Sequence, residues 1–171
     1  MAVTARTWTS GEVVTAAMMN TLRDDINTLD TGPGFILMAR LASNHANTTT
    51  TLTDVGELNF AIGASEQWAF MCALHHLCPA AADLKLGLTY PSGATGRYGL
   101  HGADAEITQG SALIGTDVAL ACGGKQVMST VAGTIVNSTT AGTVQIQAAQ
   151  NAASGTNTIY ANSWIVAIRL L

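Results

Sequence analysis

Residues 66–77 read EQWAFMCALHHL, and this stretch decides the fold class. Successive side chains of an extended strand point to opposite faces. One face of such a strand would carry Trp68, Phe70, Cys72, Leu74 and His76. The other would carry Ala69, Met71, Ala73, His75 and Leu77. Because both faces are largely apolar, the pattern predicts a central strand, with an opposing sheet over one face and a subunit neighbour over the other.

More short strands are predicted on both sides of this stretch, because apolar or alternating runs are separated by turn signals such as PSGATG at residues 91–96. They cover residues 35–42, 52–58, 59–62, 84–90, 97–101, 117–121, 126–137, 143–150, 156–161 and 163–171. Roughly eight to ten strands at this spacing are typical of an all-β sandwich or barrel. The last strand carries a long apolar run, so we expect it to lie inside a sheet.

The first thirty residues follow a different period, which predicts one α-helix of about fifteen residues. Apolar side chains recur there at steps of four, four, four and three, which places them on one stripe: Val14, Met18, Leu22, Ile26 and Leu29. Thr15 or Ser10 is expected to cap the start, and DTGPG at residues 30–34 to end the helix. The chain therefore divides into an N-terminal arm and helix, residues 1–32, and a β domain, residues 33–171.

A single helix with one narrow apolar stripe is marginal alone and needs something to pack on. Its partner could be its own β domain, two sister helices or another protein. Before the helix, Trp8 places an indole in a polar arm, either as a local hydrophobic staple or as an anchor into a neighbouring subunit. The residues assigned to attachment or oligomerisation are Trp8, Val14, Met18, Leu22, Ile26 and Leu29.

The chain is short of charge for its size. Charged residues make up 11% of the 171 residues, against roughly 25% in an average soluble domain, and the mean hydropathy is +0.29. A monomer of 17.6 kDa would expose on the order of 8,000 Å² to water. Neutral Thr, Ser, Asn and Gly can cover part of that area. We expect dry subunit contacts to cover the rest.

The composition also excludes several classes of function. A formal net charge of −4 and scattered basic residues do not suit phosphate binding, so no direct nucleic-acid partner is expected. No run reaches the ~18 apolar residues of a membrane span, and no signal peptide is recognised, so we expect a protein assembled in a cytoplasm and not bound to a membrane. Three cysteines cannot all pair within one chain, and free buried thiols are the expectation.

Four residues have metal-ligand side chains in one short segment: Cys72, His75, His76 and Cys78. A straight strand spreads these side chains too far apart for zinc, which needs converging ligands, so core packing is the preferred interpretation. One version of the metal hypothesis remains, in which three copies of His75 or His76 meet on a threefold axis. No catalytic residue, cofactor-binding residue or metal ligand is assigned, and the chain is not expected to be an enzyme.

Several segments, taken in order, resemble a family of small bacteriophage virion surface proteins with a tumour-necrosis-factor-like jelly roll. They are TWTSGEVVTAA at residues 7–17, ELNFAIGASEQW at 57–68, AADLKL at 81–86 running into YPSGATG at 90–96, and AGTVQIQ at 141–147 through residue 151, closing on ANSW at 161–164. This resemblance implies a jelly-roll β-sandwich and a homotrimer, with the N-terminal segment toward the virion and the jelly roll outward. Where family members carry a long apolar residue near the end, this chain has Trp164.

The function expected from these features is that of a homotrimeric capsid decoration (cement) protein on the virion surface, assembled in the host bacterial cytoplasm. Its partner would be the major capsid protein or another virion protein. The alternative is a minor tail or fibre knob that binds a host receptor or surface glycan, with Tyr98, Tyr160 and Trp164 as candidate contacts. A cytokine-like binding module or a hydrolase is disfavoured, because neither a secretion signal nor a catalytic cluster is recognised.

Overall fold

The structure is a computed structural model that describes residues 11, 13, 15–31, 36–102 and 111–170, without the side chains of residues 24–31 and 111. The chain forms two compact units, residues 1–34 and 35–171. Within the described part of the chain, no helix is both long and apolar enough to span a membrane.

The N-terminal unit contains one helix, α1, from Ala16 to Thr31. Thr15 caps it, because the Thr15 hydroxyl accepts a hydrogen bond from the Met18 amide at 3.3 Å. The predicted helix and its cap at Thr15 are therefore confirmed, whereas the other candidate cap, Ser10, lies outside the described residues.

The described residues of the second unit form twelve strands. The first six are β1 (Ile36–Arg40), β2 (His45–Asn47), β3 (Thr53–Ile62), β4 (Gln67–Leu77), β5 (Leu84–Thr89) and β6 (Thr95–Gly102). The others are β7 (Ser111–Leu113), β8 (Val118–Leu120), β9 (Gln126–Val136), β10 (Gly142–Gln150), β11 (Asn157–Ile159) and β12 (Trp164–Arg169).

These strands build two antiparallel sheets whose pairings nest one inside the next. The larger sheet has the order β1-β12-β4-β9-β6-β7, with β11 pairing β2 and β4, and the smaller sheet has the order β3-β10-β5-β8. In the larger sheet β1 pairs with β12 and β4 pairs with β9. In the smaller sheet β3 pairs with β10 and β5 pairs with β8. Taken along the chain, the successive pairs alternate between the two sheets. A long antiparallel hairpin rolled into two sheets gives this order, which is that of a jelly roll. The predicted all-β jelly-roll sandwich is confirmed.

The strand at residues 66–77 is central, as predicted. β4 pairs with β9 along its whole length and with β12 and β11 on its other side. Its core face buries Trp68, Phe70, Cys72, Leu74 and His76. Trp68 and Phe70 both pack against Phe60 of the smaller sheet, at ring-centroid distances of 5.7 and 5.8 Å. The final strand β12 is likewise internal, between β1 and β4.

Two strands were not predicted, and two predicted strands prove to be one. β2 and β7 have three residues each, too few to show a period, and pairing with β11 and β6 creates them. Residues 52–58 and 59–62 belong to the single strand β3, whose register with β10 shifts between Gln145 and Gln147. The Gln145 amide fills this irregularity by donating to the Leu58 carbonyl at 3.2 Å.

A buried carboxylate holds one end of the larger sheet. Glu66 precedes β4 and accepts hydrogen bonds from the Gly63 amide at 2.6 Å and the Trp68 indole at 2.9 Å. Its other oxygen lies 3.1 Å from the Arg169 guanidinium. These contacts join the turn after β3 to the end of β12.

Glu66→Gln should therefore destabilise the folded domain by about 2–4 kcal/mol, because a donor amide replaces a buried acceptor that serves three donors. Chemical denaturation followed by tryptophan fluorescence measures this loss. Glu57→Gln is the matched control: Glu57 is exposed, and its replacement should change the free energy of unfolding by less than about 1 kcal/mol. Equal effects of the two substitutions would contradict the role of Glu66.

Candidate interaction surface

The larger sheet presents a second apolar face, opposite the core, which we call the outer face. Cross-strand register aligns its side chains in rows. One row runs Ile36, Ile168, Ala69, Thr134, Arg97, and the next runs Met38, Val166, Met71, Ala132, Gly99. Both rows cross β1, β12, β4, β9 and β6 in that order. The outer face is therefore continuous over five strands.

Large apolar side chains on the outer face remain in contact with water. Met38 is 78% exposed, Ile36 57%, Met128 50%, Ile168 45% and Met71 40%. Among the described residues of this face the charged side chains are Arg40 on β1 and Arg97 on β6, and no carboxylate lies on it. Contiguous exposed apolar area of this kind marks an interaction site.

The smaller sheet is different on its outward side, where polar side chains alternate with the core residues. Asp54, Lys85, Thr89, Gln145 and Gln147 lie there, on β3, β5 and β10. The Gln147 amide donates to the Asp54 carboxylate at 2.7 Å. One sheet therefore suits water and the other suits a protein contact.

The size of the outer face is adequate for a stable interface. Strands β1, β12, β4, β9 and β6 project roughly 650 Å², at about 3.3 Å per residue and 4.8 Å between strands. A standard interface covers about 800 Å² of accessible surface per partner. The outer face alone therefore supplies most of the area that a stable contact with a second copy of the chain requires.

A shallow groove lies at the β1–β12 side of the outer face. Met38, Ala39, Arg40, Trp164 and Ile165 line it. Trp164 is half-buried, and the Arg40 guanidinium, opposite it in register, donates to the side-chain carbonyl of Asn162. The groove thus offers an indole beside a cation and an amide. Of the other candidate glycan contacts, Tyr98 is buried in the core and its hydroxyl donates to the Thr116 carbonyl.

The residues assigned to attachment by sequence lie in the other unit. Met18 and Leu22 are on α1, half-buried and exposed respectively. Ile26 and Leu29 also belong to α1, but the structure does not describe their side chains. Trp8 and Val14 lie outside the described residues. The sequence analysis found the outer face only at β4. Met38 and Met128 were missed because their strands give no sign of which apolar side chain turns inward.

The cysteine prediction was half wrong. Cys72 is a free, buried thiol, as expected, and burial raises its pKa to about 12. Cys78 and Cys122, however, form a disulfide across 44 residues. Cys122 lies in the segment after β8, so the residue spacing along β4 could not reveal it as the partner of Cys78.

His76 lies against this disulfide, on the core side of β4, whereas His75 turns to the outer face. The Nδ1 atom of His76 is 3.4 Å from Cys122 Sγ, and its Nε2 atom is 2.9 Å from the Ser129 hydroxyl. Burial, and secondarily the charge of His75, lowers the pKa of His76 to about 4. A buried His76 cannot meet its copies on a threefold axis, so only His75 keeps that hypothesis open.

The lowered pKa of His76 makes stability depend on pH. The unfolded imidazole, with its ordinary pKa of 6.5, binds a proton before the folded one does. The free energy of unfolding should therefore be highest above pH 6.5 and fall by about 3 kcal/mol as the pH decreases to about 4. Denaturation midpoints at constant protein concentration measure this change. His75→Gln should keep most of it and His76→Gln should lose it; an unchanged pH dependence in His76→Gln would contradict the assignment.

No protein-family model matches the chain, and no curated protein matches it in sequence. Among solved structures, the tripod from the baseplate of bacteriophage Tuc2009 is similar over 98% of both chains, with 12% identity and a TM-score of 0.30. A T=1 particle of infectious bursal virus is similar over 78% of this chain and 35% of its own, with 10% identity and a TM-score of 0.22. The VP2 subviral particle of infectious bursal disease virus is similar over 78% of this chain and 40% of its own, with 8% identity and a TM-score of 0.22. These similar chains come from a phage baseplate and from virus particles. TM-scores this low do not establish a common fold, so the likeness decides nothing about this chain's function.

Proposed function

We propose that this chain is a non-enzymatic structural protein of a bacteriophage particle, a homotrimeric capsid decoration protein on the virion surface. The observation that carries the proposal is the outer face: its β1, β12 and β4 strands and Met128 of β9 present exposed apolar side chains, and no carboxylate lies among its described residues. Such a surface is stable in water only when another protein covers it.

The occupant that fits best is another copy of the same chain. The outer face has about the area that one partner needs, and its side chains are neutral apart from Arg40 and Arg97 near its two sides. A charged partner would need a patch of the opposite charge on this face, and the described residues of the outer face form no such patch. In a ring of three copies, each subunit would turn its outer face to the axis and contact its two neighbours through different parts of that face, so no copy would keep a free apolar face.

The contrast between the two sheets and the sequence resemblance support the proposed place on the virion surface. The smaller sheet and its polar side chains would face solvent, while the N-terminal unit with α1 would reach the shell. The stripe on α1 and Trp8 would then make the contact with the major capsid protein or another virion protein. A trimer placed at a junction between shell proteins adds contact area that resists internal pressure.

Met71→Glu should separate the trimer into subunits, since it places three carboxylates in a dry apolar contact. An unpaired buried charge costs about 3–5 kcal/mol, which is on the order of a hundredfold or more in the association constant. Analytical ultracentrifugation over a micromolar concentration range measures the change, and circular dichroism confirms that the subunit stays folded.

Thr89→Glu is the matched control for this substitution. Thr89 is exposed on β5, on the polar outward side of the smaller sheet. Thr89→Glu should therefore leave the trimer intact. A wild-type chain that is monomeric at micromolar concentration, or a Met71→Glu trimer as stable as that of Thr89→Glu, would refute the proposed interface.

The number of copies in a purified particle tests the location. A decoration protein is expected in hundreds of copies per particle, measured by quantitative mass spectrometry against the major capsid protein. Substituting Leu22→Asp on α1, with the trimer intact, should lower this number if the helix attaches the trimer to the shell. A handful of copies would instead favour the tail.

A second candidate function, a tail or fibre knob that binds a host glycan, is favoured by the groove at Trp164. Sugar rings stack on aromatic faces, and Arg40 and Asn162 supply polar groups beside the indole. Because the groove belongs to the outer face, this function requires the β1–β12 side of that face to stay uncovered. Trp164→Ala should then abolish binding of the purified chain to host cells. Binding that survives this substitution would exclude the groove as the glycan site.

A further inference from the structure

The disulfide joins the two sheets at one end of the sandwich. Cys78 follows β4 of the larger sheet, and Cys122 lies just after β8 of the smaller sheet. Their Cα atoms are 5.7 Å apart, within the range of about 4.4–6.8 Å that a disulfide spans without moving the backbone. The backbone geometry at Cys78 and Cys122 therefore suits a disulfide between the two sheets.

Both sulfur atoms are buried beside one imidazole. Cys78, Cys122, His76 and Ser129 are all at most 1% exposed. Its environment keeps His76 neutral near pH 7, and a neutral imidazole carries one N–H and one lone pair, in either of two tautomers. Because no water reaches the ring, the state of the neighbouring groups selects the tautomer.

The disulfide requires one tautomer of His76, whereas the thiol form, whose S–H also has the Leu120 carbonyl 3.6 Å from Cys122 Sγ, can adopt the other. A Cys122 thiol can donate its S–H to Nδ1, which leaves Nε2–H to donate to the Ser129 oxygen. A disulfide has no hydrogen, so Nδ1–H must donate to sulfur and Nε2 must accept the Ser129 O–H. Ser129 serves both forms because a hydroxyl donates and accepts. The contacts of 3.4 and 2.9 Å are short enough for both arrangements.

We propose that Cys78 and Cys122 form a reversible redox switch, in which His76 exchanges tautomers through Ser129 to keep the buried site hydrogen-bonded in both forms. The two thiols are oxidised and one small disulfide, such as oxidised glutathione, is reduced. One S–S bond forms and one breaks; two electrons and the two thiol protons pass to the two released small thiols. Because both sulfurs are buried, the exchange takes place when this end of the sandwich opens locally. The Cys122 thiolate then attacks the Cys78 sulfur of the mixed disulfide, and the leaving small thiolate takes up the proton that Cys122 released.

The timing of the switch rests on the proposed function. A particle assembled in a reducing cytoplasm would carry the thiol form, and a released particle would carry the bond that staples the sheets. The ligand atoms of His76, Cys78 and Cys122 also lie within 4.8 Å of one another, which is a distance that a metal site would require. A structural zinc site needs a fourth protein ligand. Ser129 does not supply one, because its hydroxyl bonds to Nε2 of His76, on the side of the ring away from the sulfurs. A redox role therefore explains more of the observed contacts than a metal site does.

Nuclear magnetic resonance of the ¹⁵N-histidine-labelled protein tests the tautomer exchange. The nitrogen shifts of His76 should show the proton on Nδ1 in the oxidised protein and on Nε2 after reduction with excess dithiol. Alkylation and mass spectrometry in glutathione buffers should show Cys78 and Cys122 passing reversibly from disulfide to thiols while the domain stays folded. Cys72→Ala should reproduce both results.

Cys78→Ala is the decisive control, because it keeps the Cys122 thiol without a partner. Its His76 should show the Nε2–H tautomer in both oxidising and reducing buffer. The same His76 tautomer in both forms of the wild type, a pair of thiols that never oxidises, or a disulfide that survives excess reductant in the folded protein would each overturn the proposal. All of these measurements use the purified chain, so they stand apart from the tests of trimer formation and particle location.

Discussion

The structure depends on one constraint: the larger sheet is apolar on both sides, and a sandwich can bury only one of them. The core side of β4 and its neighbours packs against the smaller sheet through Trp68, Phe70 and Phe60. The other side leaves Met38, Met71 and Ile168 in water. At about 25 cal/mol per Å² of apolar surface, the free energy available from covering a face of this size is comparable with the stability of a whole domain. This uncovered apolar surface is the one that the proposed association would bury.

The nested strand pairing places that apolar side where a partner can reach it. Pairing β1 with β12 and β4 with β9 brings the most apolar strands side by side in one sheet. The strands with alternating polar residues, β3, β5 and β10, gather in the other. Two surfaces of opposite character result, one polar and one largely apolar. This division favours a structural role over a solute-binding role, because the strongest surface feature is a broad face and the groove at Trp164 is only its margin.

Contacts between distant segments hold the ends of the sandwich, and they differ in chemistry. At one end Glu66 joins the turn after β3 to Arg169 through a buried ion pair. At the other site Cys78 and Cys122 join the sheets through a bond that can be made or broken, beside a histidine whose neutral ring can adjust to either state. The first contact ties two segments that are distant in the sequence. The second lets its stability respond to the surroundings.

The sequence by itself determined the helix, the order and approximate bounds of the longer strands, and the two-sided apolar character of β4, because periodicity of side chains is a local property. It also determined the shortage of charge that led to the expectation of subunit contacts. It could not determine the short strands β2 and β7, the Cys78–Cys122 pair, or the full extent of the outer face. Those features depend on which segments lie side by side, and only the tertiary pairing of β1, β12, β4 and β9 decides that Ile36, Met71 and Met128 share one surface.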